Sequence, residues 1–489
     1  MRISEKSEAR HVLIATAVLI LATAFVMLYG GASAGDDTFI YMRYIQNALS
    51  GHGFTFNPDE PSYGCTSALW IFVMKPIAII AGNSVWTWKI SSSVLFGLRA
   101  SVLYLFVSRF RIGTAWSLLL TIVVVAEPHS LRWGSSGMEN SLAVLLLTVT
   151  AYLFWLCAEE PSTVRIIAMA VVSGLLPFAR PEFATISVAI SVFAFFVIKN
   201  LRFAITLWVI EFLIALLMTG LVWFCFGALI PQSAQAKAVF LQHDHRYDAL
   251  LQCGKIVLTG CICPFVILVV TKGISSAAKY WRLATIICFA FAVGYLGYRN
   301  HLVSTRYASY ICAPIILAAV IVVAETVAAT AKQSLYVKGL LVAHIAISIA
   351  VLVYLFPATR AADYKDIKNV ADAVAAKTDQ NARIALTEVG AFAVYSNRYI
   401  IDLDGLTDRE TLSWAKERGT PVGVAGLENL LIARHATHFI DTRAENVQTR
   451  INGRQLNFNL ILEAPVSRDI LDSGKPFKTR WRVYEVKPK

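Results

Sequence analysis

The sequence predicts a polytopic α-helical membrane protein with about 11 transmembrane helices and a soluble α/β domain at its C-terminal end. Of its 489 residues, 57% are apolar and only 16% are charged, whereas a typical soluble protein carries roughly 25% charged residues. The charge is concentrated: 37 of the 76 charged residues (44 basic, 32 acidic) lie between Arg360 and Lys489. These observations exclude a water-soluble globular enzyme and divide the chain into a transmembrane domain, 1–359, and a polar domain, 360–489.

Eleven apolar runs are long enough, or nearly long enough, to cross a bilayer. They cover 12–30, 88–108, 113–127, 140–157, 164–178, 183–198, 203–224, 256–271, 283–298, 308–327 and 337–356. A further run, 66–82, is interrupted by Lys75 and Pro76, and we expect it to lie at the membrane interface.

The basic residues favour one orientation of these spans. With the N-terminus inside, every inner loop receives at least one Lys or Arg, as the positive-inside rule requires. Counting 66–82 as a span would move Arg109 and Arg111 outside. The sequence therefore predicts a multi-pass protein of the inner (plasma) membrane with a cytoplasmic N-terminus, an outer loop at 31–87 and a periplasmic or extracytoplasmic C-terminal domain. The net charge of +12 is explained by these loops, and no nucleic-acid partner is expected.

The first apolar run imitates a cleavable signal peptide, because Ala32-Ser33-Ala34 follows it. At about 19 residues, however, it is longer than the usual 7–15 residues of a signal-peptide core. We expect it to be retained as the first helix.

The C-terminal domain alternates between helical and extended patterns, which favours an α/β layer with a partly parallel sheet. The helical patterns cover Val370 to Lys377, Arg409 to Glu417 and Leu427 to Arg434, and the extended ones cover Arg383 to Leu386, Tyr399 to Leu403 and His438 to Asp441.

Polar residues suited to chemistry concentrate in the loops predicted to lie outside. Asp36 and Asp37 directly follow the first apolar run, and a carboxylate there could act as a general base on a sugar hydroxyl. The alternative is that this acidic pair is only a solvated flank of the membrane helix. A helical pattern with Arg43 and a glycine-rich turn around His52 come next.

The sequence GDDTFIYMRYIQNALSGHGFTFNPDEPSYGCTSALW, residues 35–70, resembles the first outer loop of the GT-C superfamily of polyprenyl-phosphate-sugar-dependent membrane glycosyltransferases. It is most similar to the branch of terminal arabinofuranosyltransferases of the mycobacterial cell envelope. Further motifs of this branch recur in the expected order at Ser136–Asn140 (SGMEN), 179–182 (ARPE), 226–237 (FGALIPQS with Lys237), Arg306-Tyr307, and Gly390 with 402–408 (DLDGLTD).

The resemblance implies a sugar donor linked to polyprenyl phosphate, a glycan acceptor and a base at Asp36 or Asp37. Cations in the outer loops could bind the donor phosphate, and the candidates are Lys237, Arg306, Arg180, Arg299 and His245. Candidates for contact with the acceptor or a sugar are Arg43, His52, Glu139, Glu182, Tyr63 and Trp70. Glu139 and Glu182 could instead be salt-bridge partners of Arg132 and Arg180, and the aromatic residues could belong to an interfacial belt.

No cofactor is required by this interpretation. A divalent cation is possible at His243-Asp244-His245, but this short run lacks the fixed spacing of a metal motif. A transporter or flippase of lipid-linked glycans is the alternative function, and an inactive binding or assembly protein is a third. The sequence leaves the transferred sugar open among arabinofuranose, mannose, galacturonic acid and others.

Overall fold

The computed structural model describes residues 5–30, 34–240, 246–271, 275–299, 305–329, 334–361, 365–418, 424–442, 455–465 and 480–489. The helices that precede the C-terminal domain are α1 (Glu5–Gly30), α2 (Asp36–Leu49), α3 (Ala68–Ala81), α4 (Val85–Ser108), α5 (Thr114–Val125), α6 (Pro128–Gly134), α7 (Asn140–Glu159), α8 (Thr163–Ala179), α9 (Ala184–Ile198, after a 3₁₀ turn at Pro181–Phe183), α10 (Leu201–Phe226), α11 (Gln232–Phe240), α12 (Arg246–Gly260), α13 (Ile262–Val270), α14 (Ser276–Arg299), α15 (Thr305–Ala329) and α16 (Ser334–Ala361).

Long apolar helices dominate this part of the chain. Within the described residues, seven helices are long and apolar enough to cross a membrane, and the bent pair α5–α6 would make eight. The prediction of a polytopic helical membrane protein is thereby confirmed. The number eleven stays a prediction. The run at 66–82 forms α3, a 14-residue helix that is shorter than a straight crossing needs.

Two of the predicted spans are broken helices. The run at 113–127 ends at Glu127, whose carboxylate accepts the N–H groups of His129 (2.9 Å) and Ser130 (2.6 Å) and so caps α6; α5 and α6 meet at 70°. The run at 256–271 is divided at Cys261 between α12 and α13. Pro264 explains the second break, because its ring would clash with the carbonyl of residue 260 in a continuous helix.

The chain folds into two compact units, each assembled from three segments. One contains 1–31, 89–219 and 244–357, and the other contains 32–88, 220–243 and 358–489. The segment predicted to be the outer loop therefore shares a compact unit with the C-terminal domain. We call this second one the outer unit and the first one the helical unit.

The C-terminal domain is built on one mixed sheet. Its elements are α17 (Lys365–Lys377), β1 (Arg383–Leu386), α18 (Val389–Ser396), β2 (Tyr399–Asp402), α19 (Arg409–Arg418), α20 (Val424–Ala433), β3 (His438–Asp441), β4 (Leu456–Pro465) and β5 (Arg480–Pro488). The strand order is β2-β1-β3-β5-β4. β1 pairs in parallel with β2 and β3, while β5 pairs antiparallel with β3 and β4. The predicted α/β domain with a partly parallel sheet is confirmed.

Close backbone approaches join residues 32–88 to this domain; because the sequence predicts an outer loop here, we call these residues the first outer segment. A Cβ atom at Gly64 would lie 2.7 Å from the Cγ2 of Thr407 and 2.8 Å from the carbonyl oxygen of Leu406. The side-chain amide of Asn57 donates to the carbonyl of Ile400 (2.8 Å) and its oxygen accepts the N–H of the same residue (3.0 Å). Only glycine fits at position 64 without moving one of these segments.

Substitution of Gly64 by Ala should therefore destabilise the outer unit by about 1–3 kcal/mol, the usual cost of overpacking a close contact. The measurement is the melting temperature of the detergent-solubilised protein. Gly339→Ala in α16 is the matched control, because a Cβ there meets nothing within 4 Å. Equal melting temperatures for the two variants would contradict this packing.

Candidate active site

Asp36 connects the first outer segment to the C-terminal domain. It is the first residue of α2, and its carboxylate accepts the backbone N–H groups of Gly390 (3.2 Å) and Ala391 (2.9 Å) at the start of α18. A Cβ atom at Gly390 would lie 2.8 Å from each carboxylate oxygen, so this position needs glycine. A helix N-terminus carries unpaired N–H groups and a partial positive charge, and it therefore orients a carboxylate.

The surroundings of Asp36 tune its ionisation. Burial, together with the negative charges of Glu388 and Asp37, raises the pKa of Asp36 to about 7, while the two N–H groups of α18 oppose this rise. A group with this pKa can both accept and return a proton near pH 7. Asp37 follows it in the first turn of α2.

Arg43 is buried and links several segments of the outer unit. Its guanidinium donates to the carbonyl of Phe56 (3.1 Å), to the side-chain oxygen of Asn397 (2.6 Å) and to the carbonyl of Arg398 (3.4 Å). It therefore joins α2 to the glycine-rich turn and to the C-terminal domain. His52, on that turn, lies 3.3 Å from the carboxylate of Asp59.

The two aromatic candidates, Tyr63 and Trp70, lie in the core of the outer unit. Tyr63 is 4% exposed and stacks on Phe226 with ring centroids 4.6 Å apart. Trp70 has no exposed surface and packs edge-on against Trp88. Their rings support the fold at these positions.

The motif at 226–233 is attached to the outer segment by Gln232. Its N–H donates to the carbonyl of Tyr63 (2.6 Å) and its side-chain oxygen accepts the N–H of Tyr63 (2.7 Å). A glutamine here therefore acts as a backbone mimic.

The motif at 402–408 forms a tight polar turn. Asp402 accepts the N–H groups of Asp404 (2.9 Å) and Thr407 (2.7 Å) and the hydroxyl of Thr407 (2.9 Å). Burial, together with the nearby charges of Asp404 and Asp408, raises its pKa to about 8, while the hydrogen bonds from Thr407 oppose this rise. Asp408 pairs with Arg434 at 2.9 Å. Leu406 and Thr407 of this turn pack against Gly64. The turn therefore contacts the first outer segment.

Three motifs of the helical unit converge on Arg180. Its guanidinium binds Glu139 at 2.6 Å and Glu182 at 2.8 Å, and it lies over the rings of Tyr310 (4.4 Å) and Tyr307 (5.1 Å). Arg180 and Glu139 are each 1% exposed. The two carboxylates are therefore ion-pair partners of Arg180, which was one of the alternatives left open by the sequence.

The remaining cationic candidates are located only by their helices. Lys237 lies in α11, Arg299 ends α14, and Arg306 lies in the first turn of α15. The possible metal site of the sequence comprises His243, Asp244 and His245. All three lie in the stretch 241–245, outside the described residues. Within the parts of the chain that the structure describes, no group of three or more His, Cys, Asp or Glu residues could hold a metal ion.

Two groups that contact Arg180 or Asp36 had only weak signals in the sequence. Tyr310 is one helical turn after Tyr307, so the two can face the same partner, but the motif itself ends at Tyr307. The N–H groups that hold Asp36 belong to backbone and leave no side-chain signal. Gly390 was the one visible sign of this contact.

Comparison with known proteins defines the class of this fold. A family described as "Domain of unknown function (DUF8728)" matches residues 357–484. Over the full chain, the structure is similar to ArnT from Cupriavidus metallidurans bound to undecaprenyl phosphate, with a TM-score of 0.59 and 11% identity, covering 99% of this chain and 98% of that one. It is also similar to arabinofuranosyltransferase AftD from Mycobacteria, with a TM-score of 0.51 and 12% identity over 98% of this chain and 40% of that one.

A curated relative extends the comparison to sequence. The terminal beta-(1->2)-arabinofuranosyltransferase of Mycobacterium tuberculosis is 27% identical over 185 residues, which cover 34% of this chain and 29% of that protein. The chain thus has the fold of the GT-C membrane glycosyltransferases, as its motifs predicted.

Removing the cation of the Arg180 cluster should be far more damaging than removing an exposed one. Arg180→Gln leaves Glu139 buried without its partner, and we expect a loss of about 3–5 kcal/mol of stability. The double variant Arg180→Gln/Glu139→Gln should recover part of it, because no unpaired charge at position 139 remains. Arg165→Gln, which removes an exposed pair with Glu160, should cost about 0–1 kcal/mol. Thermal unfolding in detergent measures all three, and equal losses would refute the role of the buried pair.

Proposed function

We propose that this chain is an integral membrane glycosyltransferase that moves a sugar, arabinofuranose or a similar one, from a polyprenyl-phosphate donor to an extracytoplasmic glycan or lipid-linked acceptor. The observation that carries the proposal is Asp36, an oriented carboxylate with a pKa near 7 in a chain whose full-length fold resembles ArnT bound to undecaprenyl phosphate. A transferase fits these comparisons better than a flippase. The partial match to the mycobacterial arabinofuranosyltransferase supports the choice of sugar.

In the proposed reaction, Asp36 takes the proton of an acceptor hydroxyl. The hydroxyl oxygen then forms a bond to the anomeric carbon of the donor sugar, and the bond between that carbon and the phosphate oxygen breaks. Polyprenyl phosphate leaves with the electron pair. Two of the four lone-pair positions of the carboxylate accept N–H groups of α18, so the others can face the hydroxyl. Asp37 supplies a like charge that favours proton uptake by Asp36.

The negative charge on the departing phosphate requires a cation. Lys237 belongs to the same compact unit as Asp36 and to a motif of the resemblance, and we assign it this role. The sequence also offers Arg306, Arg299 and His245 as candidates, because they lie in loops predicted to be outside. Arg180 already has two carboxylate partners, and we assign it to shaping its own cluster.

The direct test is transfer by the purified protein. Radiolabelled polyprenyl-phosphate arabinofuranose and a short arabinofuranoside are incubated with the protein in detergent, and products are separated by chromatography. A labelled, longer glycoside supports the proposal. In proteoliposomes, movement of the labelled lipid across the bilayer without a new glycosidic bond would identify a flippase instead.

The base assignment predicts a specific pH dependence. Because Asp36 must be ionised to accept a proton, kcat/KM should rise with pH through about 7, the pKa of this group. Asp36→Asn should lower the plateau rate reached above pH 7 about 100- to 10,000-fold and abolish the rising limb. Glu388→Gln removes a negative charge that raises this pKa, so its rising limb should move to lower pH with the plateau retained.

Glu463→Gln is the control for that shift, because Glu463 pairs with Arg480 and Arg482 on the sheet and should leave the profile unchanged. Full activity of Asp36→Asn, with Asp37→Asn inactive, would transfer the base role to Asp37.

We also propose that the outer unit lies on the extracytoplasmic side of the inner membrane. The distribution of basic residues supports this side, and the packing of 32–88 and 220–243 with the C-terminal domain supports one common face. A cysteine replacing exposed Ala376 on α17, in a chain without its native cysteines, should react with a membrane-impermeant maleimide in intact spheroplasts. Labelling only after lysis would reverse the orientation.

A further inference from the structure

A polar cavity of about 490 Å³ lies within the outer unit, between α2 with its following turn and the edge of the C-terminal domain. Its volume is in the range of small-molecule sites. Three arginines line it, Arg43, Arg383 and Arg398, together with His52. None of the described residues that line it is an aspartate or a glutamate.

Among the described residues, the acceptors of Arg43 and Arg398 are neutral oxygens. Arg43 donates to two carbonyl oxygens and to the side-chain amide oxygens of Asn397 and Gln46. Arg398 donates to carbonyl oxygens, among them those of Ala375 (2.7 Å) and Thr378 (3.0 Å), and to a hydroxyl. All of these acceptors are neutral. No described carboxylate forms an ion pair with any of the three arginines, whereas buried charges are normally paired.

Arg383 has hydrogen-bonding capacity to spare. Its guanidinium lies 4.0 Å from the ring centroid of Tyr399, which fixes its plane. Its Nε atom is buried and has no hydrogen-bond partner among the described residues. A planar guanidinium held in this way presents a fork of donors that matches a carboxylate or a phosphate.

We infer that this cavity is a subsite for an anionic sugar residue, whose carboxylate or phosphate group binds Arg383 under the positive charge of Arg43 and Arg398. Amide side chains of the wall, such as those of Asn397 and Gln380, would bind the sugar hydroxyls. The assignment of this sugar to the acceptor glycan rests on the proposed transferase function. On that assignment, the acceptor is a glycan that carries acidic sugar residues near the site of extension.

The test uses full-length Asp36→Asn protein without donor, so that its outcome does not depend on transfer. Isothermal titration calorimetry compares glucuronic acid and glucose 6-phosphate with glucose and with inorganic phosphate. We expect saturable binding of the two anionic sugars, no binding of glucose, and weaker binding of inorganic phosphate. Phosphate binding as tight as that of glucose 6-phosphate would overturn the sugar part of the inference.

Two further substitutions in this Asp36→Asn protein locate the binding. Arg383→Gln should weaken binding at least about tenfold, as should Gln380→Glu, which places a negative charge at an exposed position of the wall and should not disturb folding. Arg480→Gln is the matched control, because Arg480 is an exposed arginine of β5 paired with Glu463. Unchanged affinity in both cavity variants would overturn the subsite. If the wild-type protein transfers sugar but binds none of these anions, the subsite is also overturned, and the proposed function is unaffected.

Discussion

The contact of Asp36 with the first N–H groups of α18 is the constraint on which the outer unit depends. It joins residues 354 and 355 positions apart in the chain, and it places the carboxylate at the junction of the first outer segment and the C-terminal domain. The same contact needs glycine at position 390, and its two N–H groups oppose the rise that burial gives to the pKa of Asp36. Folding of the outer unit and preparation of the proposed base are therefore one event, because the N–H groups that orient the carboxylate exist only when α18 has formed.

Buried arginines have different kinds of partner in the two units. In the helical unit, Arg180 is neutralised by Glu139 and Glu182 and covered by tyrosine rings, as expected for a charge far from water. In the outer unit, Arg43 and Arg398 satisfy their N–H groups with neutral oxygens and keep their charge. The first arrangement stabilises a fixed structure. The second leaves a positive field at a cavity, which is useful where an anionic molecule must bind and leave.

Much of the fold could be predicted from the sequence because its signals are local. Apolar runs indicated the membrane helices, and alternation indicated β1, β2 and β3 with bounds that agree within a residue. Other features depend on distant partners. The bend at Glu127, where one apolar run ends, arises from a helix cap, and the break at Cys261 arises from a proline inside another run. Helix α18 and strands β4 and β5 were not predicted, although Trp481 and Val483 follow a two-residue period. The motifs predicted which segments contribute to the candidate site. The partners of Arg43 and Arg180 are distant in sequence, so only the tertiary structure identifies them.

The central claim is that burial and the negative charge of Glu388 make Asp36 a base suited to neutral pH. Difference infrared spectroscopy of the purified protein tests it most directly, with Asp36→Asn as the reference that isolates the Asp36 carboxylate band during a titration from about pH 4 to about pH 9. The structure predicts a midpoint near 7, lowered in Glu388→Gln. A midpoint at about 3.9, the ordinary pKa of an aspartate side chain, would contradict the account.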